Sequence, residues 1–193
     1  MLTAAPIRGS SGRYIVLPEL GADGSLPDVV PYNRYGGRPG DVSWSTALPN
    51  VIYQMWKSAD DITAYNASEM RAAVSAQIAN VAAQAKGGLG KMHTPYGDWC
   101  PPPAKMGGGQ GVKPSASLTS AFSYIHMVQQ GAELAQAAGN ASLAASLAAL
   151  NTTLLKEYNV AFYQGEGKYD TNTQTALALA LALKAPPDAN ATQ

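Results

Sequence analysis

The chain has 193 residues, with thirteen basic and thirteen acidic side chains, and 46% of it is hydrophobic. That length is typical of one domain, or of an incomplete part of a larger one. A net charge of zero without a basic stripe argues against nucleic acid and against a membrane surface as partners. One cysteine and two histidines are too few for a cysteine cluster or a histidine-rich zinc site. We therefore expect no cofactor and no metal bound by Cys or His, and a metal held by loop oxygens stays open.

The hydrophobic pattern divides the chain into two parts. Residues 1–43 are dense in Gly and Pro and show no helical period, which predicts a loop-rich N-terminal segment. Residues 44–193 repeat apolar side chains every three or four positions, which predicts the helical part of the same incomplete domain. Helices are expected over about 44–60, 65–86, 115–138, 140–162 and from 171 to the prolines at 186–187. No series of strands is present, so the predicted fold class is all-α.

The predicted helices have candidate caps at their ends, where Asn, Asp, Ser and Thr satisfy free backbone N–H groups. Pro49 either kinks the first helix or moves its start to about position 48. The third helix is expected to stop at Gly139. The candidate N-caps are Asp41 or Ser43, Asn66 or Ser68, Asn140, and Asp170 or Thr171.

Three elaborate connections, 18–43, 87–114 and 163–170, alternate with short ones near 60–64 and at 139–140. Because successive antiparallel helices reverse direction, all three elaborate connections are predicted at the same end of the bundle. Helical folds commonly place function at such an end. Its polar and aromatic residues are Asp28, Asp41, Trp44, Tyr96, Asp98, Trp99, Glu166, Tyr169, Asp170, Asn172 and Gln174.

Carboxylates and aromatic rings at one end indicate a carbohydrate site, because carboxylates bind sugar hydroxyls and rings stack on a pyranose. Asp98 and Trp99 are the strongest local pair; the alternative is that Trp99 fills the core and Asp98 caps a turn. Trp44 is either a ligand platform or a core residue. His126 lies at an apolar boundary within a helix and is expected to be packed, and Glu166 is expected to be solvated.

Four N-x-S/T acceptor sequences, at Asn66, Asn140, Asn151 and Asn190, exceed the single one expected by chance. The excess favours a secreted or lumenal location, although helix caps select the same residues. The first seven residues contain no basic segment before their apolar run, so a signal peptide is not supported. The compartment therefore stays open.

Four motifs in order resemble segments of a single enzyme family. Residues 23–31, DGSLPDVVP, are similar to the family's "DGS-P-D-VP" segment, and DVSWS at 41–45 is similar to its Trp-initiated inner helix. YGDW at 96–99 resembles the "GDW" loop. GEGKY at 165–169 followed by TQTA at 173–176 resembles the "G-TQTA" entry to a further inner helix. In this order the motifs resemble the bacterial and fungal α-L-rhamnosidases, and the resemblance covers residues 23–188.

This resemblance implies an (α/α)₆ barrel of six helical hairpins, of which about five of twelve helices are expected here. It implies hydrolysis of terminal α-L-rhamnose with inversion, by an acid and a base held roughly 6.5–9.5 Å apart. In the family pattern the acid precedes the "DGS-P" motif and the base follows the "TQTA" helix. No catalytic residue is therefore assigned within this sequence. The substrate-binding residues implied are Trp44, Trp99, Asp98, Asp41 and Gln174.

Two alternatives remain open: a carbohydrate-binding or scaffold protein without catalysis, and a six-hairpin glycosidase for another sugar. The expected partner is a rhamnose-containing glycoside or another carbohydrate. Uncovered apolar helix faces predict self-association of this chain.

Overall fold

The computed structural model describes residues 17–32, 36–92, 96–98, 101, 103 and 111–187, and this part of the chain is helical without strands. Short 3₁₀ turns occupy Leu17–Glu19, Ala85–Gly87 and Leu89–Lys91. The predicted all-α class is confirmed. None of the helices in the described ranges is long and apolar enough to cross a bilayer. The α-helices are α1 Val42–Ser45, α2 Ala47–Ala59, α3 Thr63–Asn66, α4 Ser68–Gln84, α5 Ala116–Ala137, α6 Ala141–Phe162 and α7 Gln174–Ala182.

Helices α2 and α5 run parallel, as two hydrogen bonds between them show. Gln130 Nε2 donates to Asn50 Oδ1 at 2.9 Å, and Tyr53 Oη donates to Glu133 Oε2 at 2.9 Å. Both pairs are 80 residues apart in sequence. A constant separation means that the two helices advance in the same direction.

Helix α7 is also parallel to α5. The Ser115 amide donates to Asp170 Oδ2 at 2.6 Å, and Gln129 Nε2 donates to the Leu183 carbonyl at 3.3 Å, with separations of 55 and 54 residues. Helix α6 returns antiparallel to α5 through a tight turn at 138–140. Helices α2, α5 and α7 therefore begin at one end, and the predicted clustering of the elaborate connections at that end is confirmed.

The core is centred on α5, which packs against α6 and touches α1, α2, α4 and α7. Its apolar side chains recur at three- and four-residue steps, so one stripe of the helix is buried along its whole length. The side chains with no exposed surface in this stripe are Leu118, Ala121, Ile125, Val128, Leu134 and Ala135.

The helix ends confirm some predicted caps and correct others. Asn140 Oδ1 accepts the Leu143 amide at 3.1 Å, after Gly139 has ended α5 with a φ of +75°. Thr173 caps α7 by accepting the Ala176 amide at 3.2 Å, so the prediction of Asp170 or Thr171 is wrong. The second predicted helix breaks at Ala67, which precedes α4 without a side-chain cap, so the prediction of Asn66 or Ser68 is also wrong.

The first predicted helix is interrupted at Thr46, between α1 and α2. Pro49 is the third residue of α2, within the first turn, where a backbone N–H has no partner inside the helix. Of the two outcomes predicted for Pro49, the displaced helix start is therefore the observed one, at Ala47.

Candidate functional site

The Asp28 carboxylate joins separate parts of the loop end. It is 3% exposed, and its Oδ1 accepts the Asp41 amide at 2.6 Å. Its Oδ2 accepts the Tyr96 hydroxyl at 3.0 Å and also the Gly37 amide. A buried carboxylate needs such donors to replace lost hydration. Asp28 therefore acts as an anchor for the loops.

The Asp41 carboxylate has a similar role. It caps α1, with Oδ1 accepting the Ser43 amide at 2.8 Å, while Oδ2 accepts the Tyr96 amide at 3.1 Å. It is 2% exposed. Both oxygens thus bind the protein's own backbone, and Asp41 connects the start of α1 with the loop at 96–98.

Two motif glycines are required by close packing. Gly24 has a φ of +81°, and a Cβ there would overlap the Ala76 carbonyl of α4. Gly97 has a φ of +62°, and its Cβ would lie 2.9 Å from the Ala116 Cβ. The glycines thus allow the loop around Gly24 to pack directly on α4, and the loop at 96–98 to pack on the start of α5.

Trp44 and Tyr96 form an aromatic pair at this end. Their ring centroids are 4.9 Å apart with a tilt of 38°, and Trp44 is 36% exposed. The hydrogen bond to Asp28, followed by burial, raises the pKa of the Tyr96 hydroxyl above its usual value. Tyr96 therefore stays a neutral donor, and it supports one side of an indole ring that is open to solvent.

A cavity of about 480 Å³ opens beside Trp44, between the α1–α2 junction and α5. Its wall combines aromatic, hydroxyl and amide side chains. The ten residues that line it are Ser43, Trp44, Thr46, Ala47, Asn50, Phe122, Ser123, His126, Met127 and Gln130.

His126 is half-buried in this wall, where its ring stacks on Phe122 with centroids 5.4 Å apart. Burial lowers the pKa of the imidazole below its usual value, so the ring is neutral at pH 7. The prediction of a packed histidine is correct for the ring stacking, but the cavity beside it was not predicted. The four-residue spacing of Phe122, His126 and Gln130, which places them on one face of α5, is the signal in the sequence that indicates this wall.

Comparison with known proteins assigns the family. The family model described as the bacterial alpha-L-rhamnosidase 6 hairpin glycosidase domain matches residues 16–193. The chain belongs to this family. It is thus a glycoside hydrolase-like six-hairpin domain related to the α-L-rhamnosidases.

Two solved structures share the fold of this rhamnosidase-family domain. The α-L-rhamnosidase from Dictyoglumus thermophilum has a TM-score of 0.78 and 23% identity over 92% of this chain and 19% of its own. The Streptomyces avermitilis α-L-rhamnosidase complexed with L-rhamnose has a TM-score of 0.75 and 22% identity. Its match covers 91% of this chain and 16% of that protein. The domain therefore spans less than a fifth of the length of either. No curated protein matches the sequence.

Two other predicted site residues of the rhamnosidase-family domain are not among the described residues that line the cavity. Asp98 is half-buried in the loop beside Gly97, and Gln174 is an exposed residue that begins α7. Trp99 lies outside the described residues. Among the described members of the predicted set, Trp44 is the one that lines the cavity.

Three further residues of the predicted decorated end have other roles. Tyr169 is 1% exposed and packs its ring near Tyr158, so it belongs to the core, contrary to the prediction. Glu166 pairs with Lys168 at 2.8 Å in an exposed turn, as predicted for a solvated charge. Asp170 joins this connection to the start of α5 through the Ser115 amide. The described residues contain no group of three or more His, Cys, Asp or Glu side chains placed to hold a metal.

Proposed function

We propose that this domain supplies one wall of the carbohydrate cleft of an α-L-rhamnosidase, and that the cavity beside Trp44 holds the sugar ring. The observation that carries the proposal is a partly exposed indole next to a wall of neutral hydroxyl, amide and imidazole groups. An aromatic face stacks on the apolar side of a pyranose, and neutral polar groups bind its hydroxyls. Carbohydrates of this class have no charge, which matches the neutral wall.

The size of the cavity and the family support the same ligand class. Small-molecule sites occupy roughly 300–1,000 Å³, so a cavity of about 480 Å³ has room for one sugar ring. One solved relative with the same fold is complexed with L-rhamnose. We therefore take L-rhamnose as the first ligand to test, and other 6-deoxy sugars as the alternative.

We further infer that this chain binds sugar without hydrolysing it. Inverting hydrolysis needs one carboxyl group as acid and another as base, on opposite sides of the bond that breaks. Within the described residues, the lining of the cavity contains neither Asp nor Glu. Asp28 and Asp41, the nearby carboxylates, bind backbone amides and the Tyr96 hydroxyl instead. The expected result with a nitrophenyl α-L-rhamnoside is release of nitrophenol at the uncatalysed rate.

Calorimetric titration with L-rhamnose tests the binding proposal. Trp44→Leu removes the stacking face and is expected to weaken binding by about fivefold or more, since an aromatic contact contributes on the order of 1 kcal/mol beyond its buried area. Trp56→Leu is the matched control, because Trp56 lies in α2 outside the cavity and packs against Lys57 with 4.4 Å between the ammonium and the ring centroid. Equal affinities in the two variants would contradict the proposal, as would the absence of binding by the unmodified chain.

Self-association stays a prediction. Several apolar side chains are exposed, including Val160 at 89% and Leu181 at 44%. Sedimentation velocity over a range of concentrations is expected to show a rising average mass, and Leu181→Lys is expected to reduce it. A constant monomer mass over this range would contradict the prediction.

A further inference from the structure

We propose that the amide pair formed by Asn50 and Gln130 is the specificity-determining wall of the cavity, where it selects the sugar by the orientation of its hydroxyls. This inference rests on the proposed function, because it requires that the cavity bind a sugar. The amide pair determines which sugar the cavity accepts, whereas Trp44 provides the stacking face that any sugar uses.

The two amides are held by each other. Gln130 is 3% exposed, lines the cavity, and donates from Nε2 to Asn50 Oδ1 at 2.9 Å. This bond uses one donor of Gln130 and one acceptor site of Asn50. The Gln130 carbonyl oxygen and the Asn50 NH₂ group then remain as one acceptor and one donor. Exchanging O and N in both amides leaves the same combination of one acceptor and one donor.

An acceptor beside a donor matches sugar hydroxyls, because each hydroxyl both donates and accepts. The pair is also rigid, since Asn50 belongs to α2 and Gln130 to α5, and these helices are joined again at Tyr53 and Glu133 by a 2.9 Å hydrogen bond. A fixed donor and acceptor distinguish equatorial from axial hydroxyls better than mobile side chains do.

The neighbours of the amide pair direct the sugar. Phe122, His126 and Gln130 follow one another at four-residue steps on the face of α5 that lines the cavity. The wall therefore changes from aromatic to amide along the helix, and Trp44 adds a second aromatic face from α1. A ring seated against the aromatic residues presents its hydroxyl edge to the amides. Burial lowers the pKa of His126, which keeps the wall uncharged at pH 7.

Burial of Gln130 gives the pair its discriminating effect. At 3% exposure, Gln130 has little access to water that replaces a missing ligand hydroxyl. An epimer that cannot reach the pair leaves a buried polar group unpaired, and sites of this kind reject the mismatched ligand by tenfold or considerably more. A wall of apolar groups does not impose this penalty.

The experiment compares dissociation constants for L-rhamnose and two epimers, 6-deoxy-L-glucose and 6-deoxy-L-talose, which differ from it at C2 and at C4. Titrations at pH 7.5 use the unmodified chain, Gln130→Met and Gln136→Met. Methionine keeps the length of glutamine and removes its hydrogen bonds. Gln136 is exposed on the same helix, so Gln136→Met is the matched control.

The expected result is that the unmodified chain and Gln136→Met prefer rhamnose to at least one epimer by about tenfold or more. In Gln130→Met this ratio is expected to fall to within about twofold of unity. Asn50→Leu, at an exposed position of α2, is expected to do the same, and it replaces Gln130→Met if that variant fails to fold.

Three results would overturn the inference. If Gln130→Met or Asn50→Leu keeps the ratio, the pair does not select the sugar. If the unmodified chain binds all three sugars equally, the inference fails while the proposed function stands. If none of the sugars binds, both fail together.

Discussion

The α5–α6 hairpin and the first loop segment at the site, residues 17–32 and 36–41, are stabilised by different forces. The hairpin buries apolar side chains, among them Leu134 and Tyr158, neither of which has exposed surface. The loop segment is instead connected by carboxylates: Asp28 and Asp41 bind backbone amides, and Glu19 pairs with Arg38 at 3.0 Å. The stability of the hairpin depends on how well its apolar side chains fill the core. The stability of the loop segment depends on the charge and the hydrogen-bond geometry of individual side chains.

This difference separates overall stability from the shape of the site. Burial in the hairpin is non-directional, so any apolar side chain of similar size preserves it. The hydrogen bonds of Asp28 are directional, and the loss of one of them costs roughly 1–3 kcal/mol. We therefore expect changes in the hairpin to alter global unfolding, and changes in the loop segment to open the site locally.

The largest effect is expected from Leu134→Ala in α5. Leu134 is completely buried, so its truncation leaves a cavity and lowers the free energy of unfolding by about 2–5 kcal/mol. Urea denaturation followed by circular dichroism measures this change. Val160→Ala, at 89% exposure on α6, is the control and is expected to stay within about 0.5 kcal/mol of the unmodified chain. Similar losses in both variants would show that the hairpin is not the centre of stability.

A smaller global effect and a larger local one are expected from Asp28→Asn. The amide places an NH₂ donor where a carboxylate oxygen accepted a hydrogen bond, so about 1–3 kcal/mol is lost at the loops. Hydrogen exchange is expected to accelerate at the Gly37 and Asp41 amides and to stay slow in α5. Asp60→Asn, in an exposed helix C-cap with a φ of +51°, is the control, because Asn adopts this conformation readily. If hydrogen exchange accelerates equally throughout α5 and α6, the loop segment does not open independently of the hairpin.

Tyr96→Phe removes one hydrogen bond to Asp28 and keeps the ring against Trp44. The expected loss is about 1 kcal/mol, less than that of Asp28→Asn. Sugar binding is expected to weaken slightly, since the support of the indole is retained. The comparison is Tyr96→Leu, which also removes the ring; if both variants behave alike, the aromatic contact does not contribute.

The smallest expected effect is on the pH dependence of stability through His126. Burial lowers its pKa in the folded chain, so the unfolded chain binds more protons just below its ordinary value of about 6.5. Stability is then full above that pH and falls as the pH drops toward the lowered folded value. Urea unfolding at a series of pH values is expected to show this slope, and His126→Gln to flatten it. If the pH dependence of stability is unchanged in His126→Gln, a group other than His126 causes it.

The chain order alone was sufficient to predict the hairpin and the clustering of the loops. Helix α6 has a regular apolar period and a cap at Asn140, both of which are local properties. The alternating direction of successive helices then placed the connections at one end. The motif residues likewise indicated the family that the comparison confirms.

Only the tertiary structure decided the chemistry of individual side chains. Apart from Ser43, which is two residues from Asp41, the partners of Asp28, Asp41 and Gln130 lie 9–80 residues away along the chain. A period of three or four residues contains no information on such distant pairs. Asp41 was predicted as a ligand for sugar, yet the fold turns both of its oxygens toward backbone amides. Gln130 is one of many glutamines in the sequence, and it acquires a role because α2 and α5 pack in parallel and enclose its amide beside the cavity.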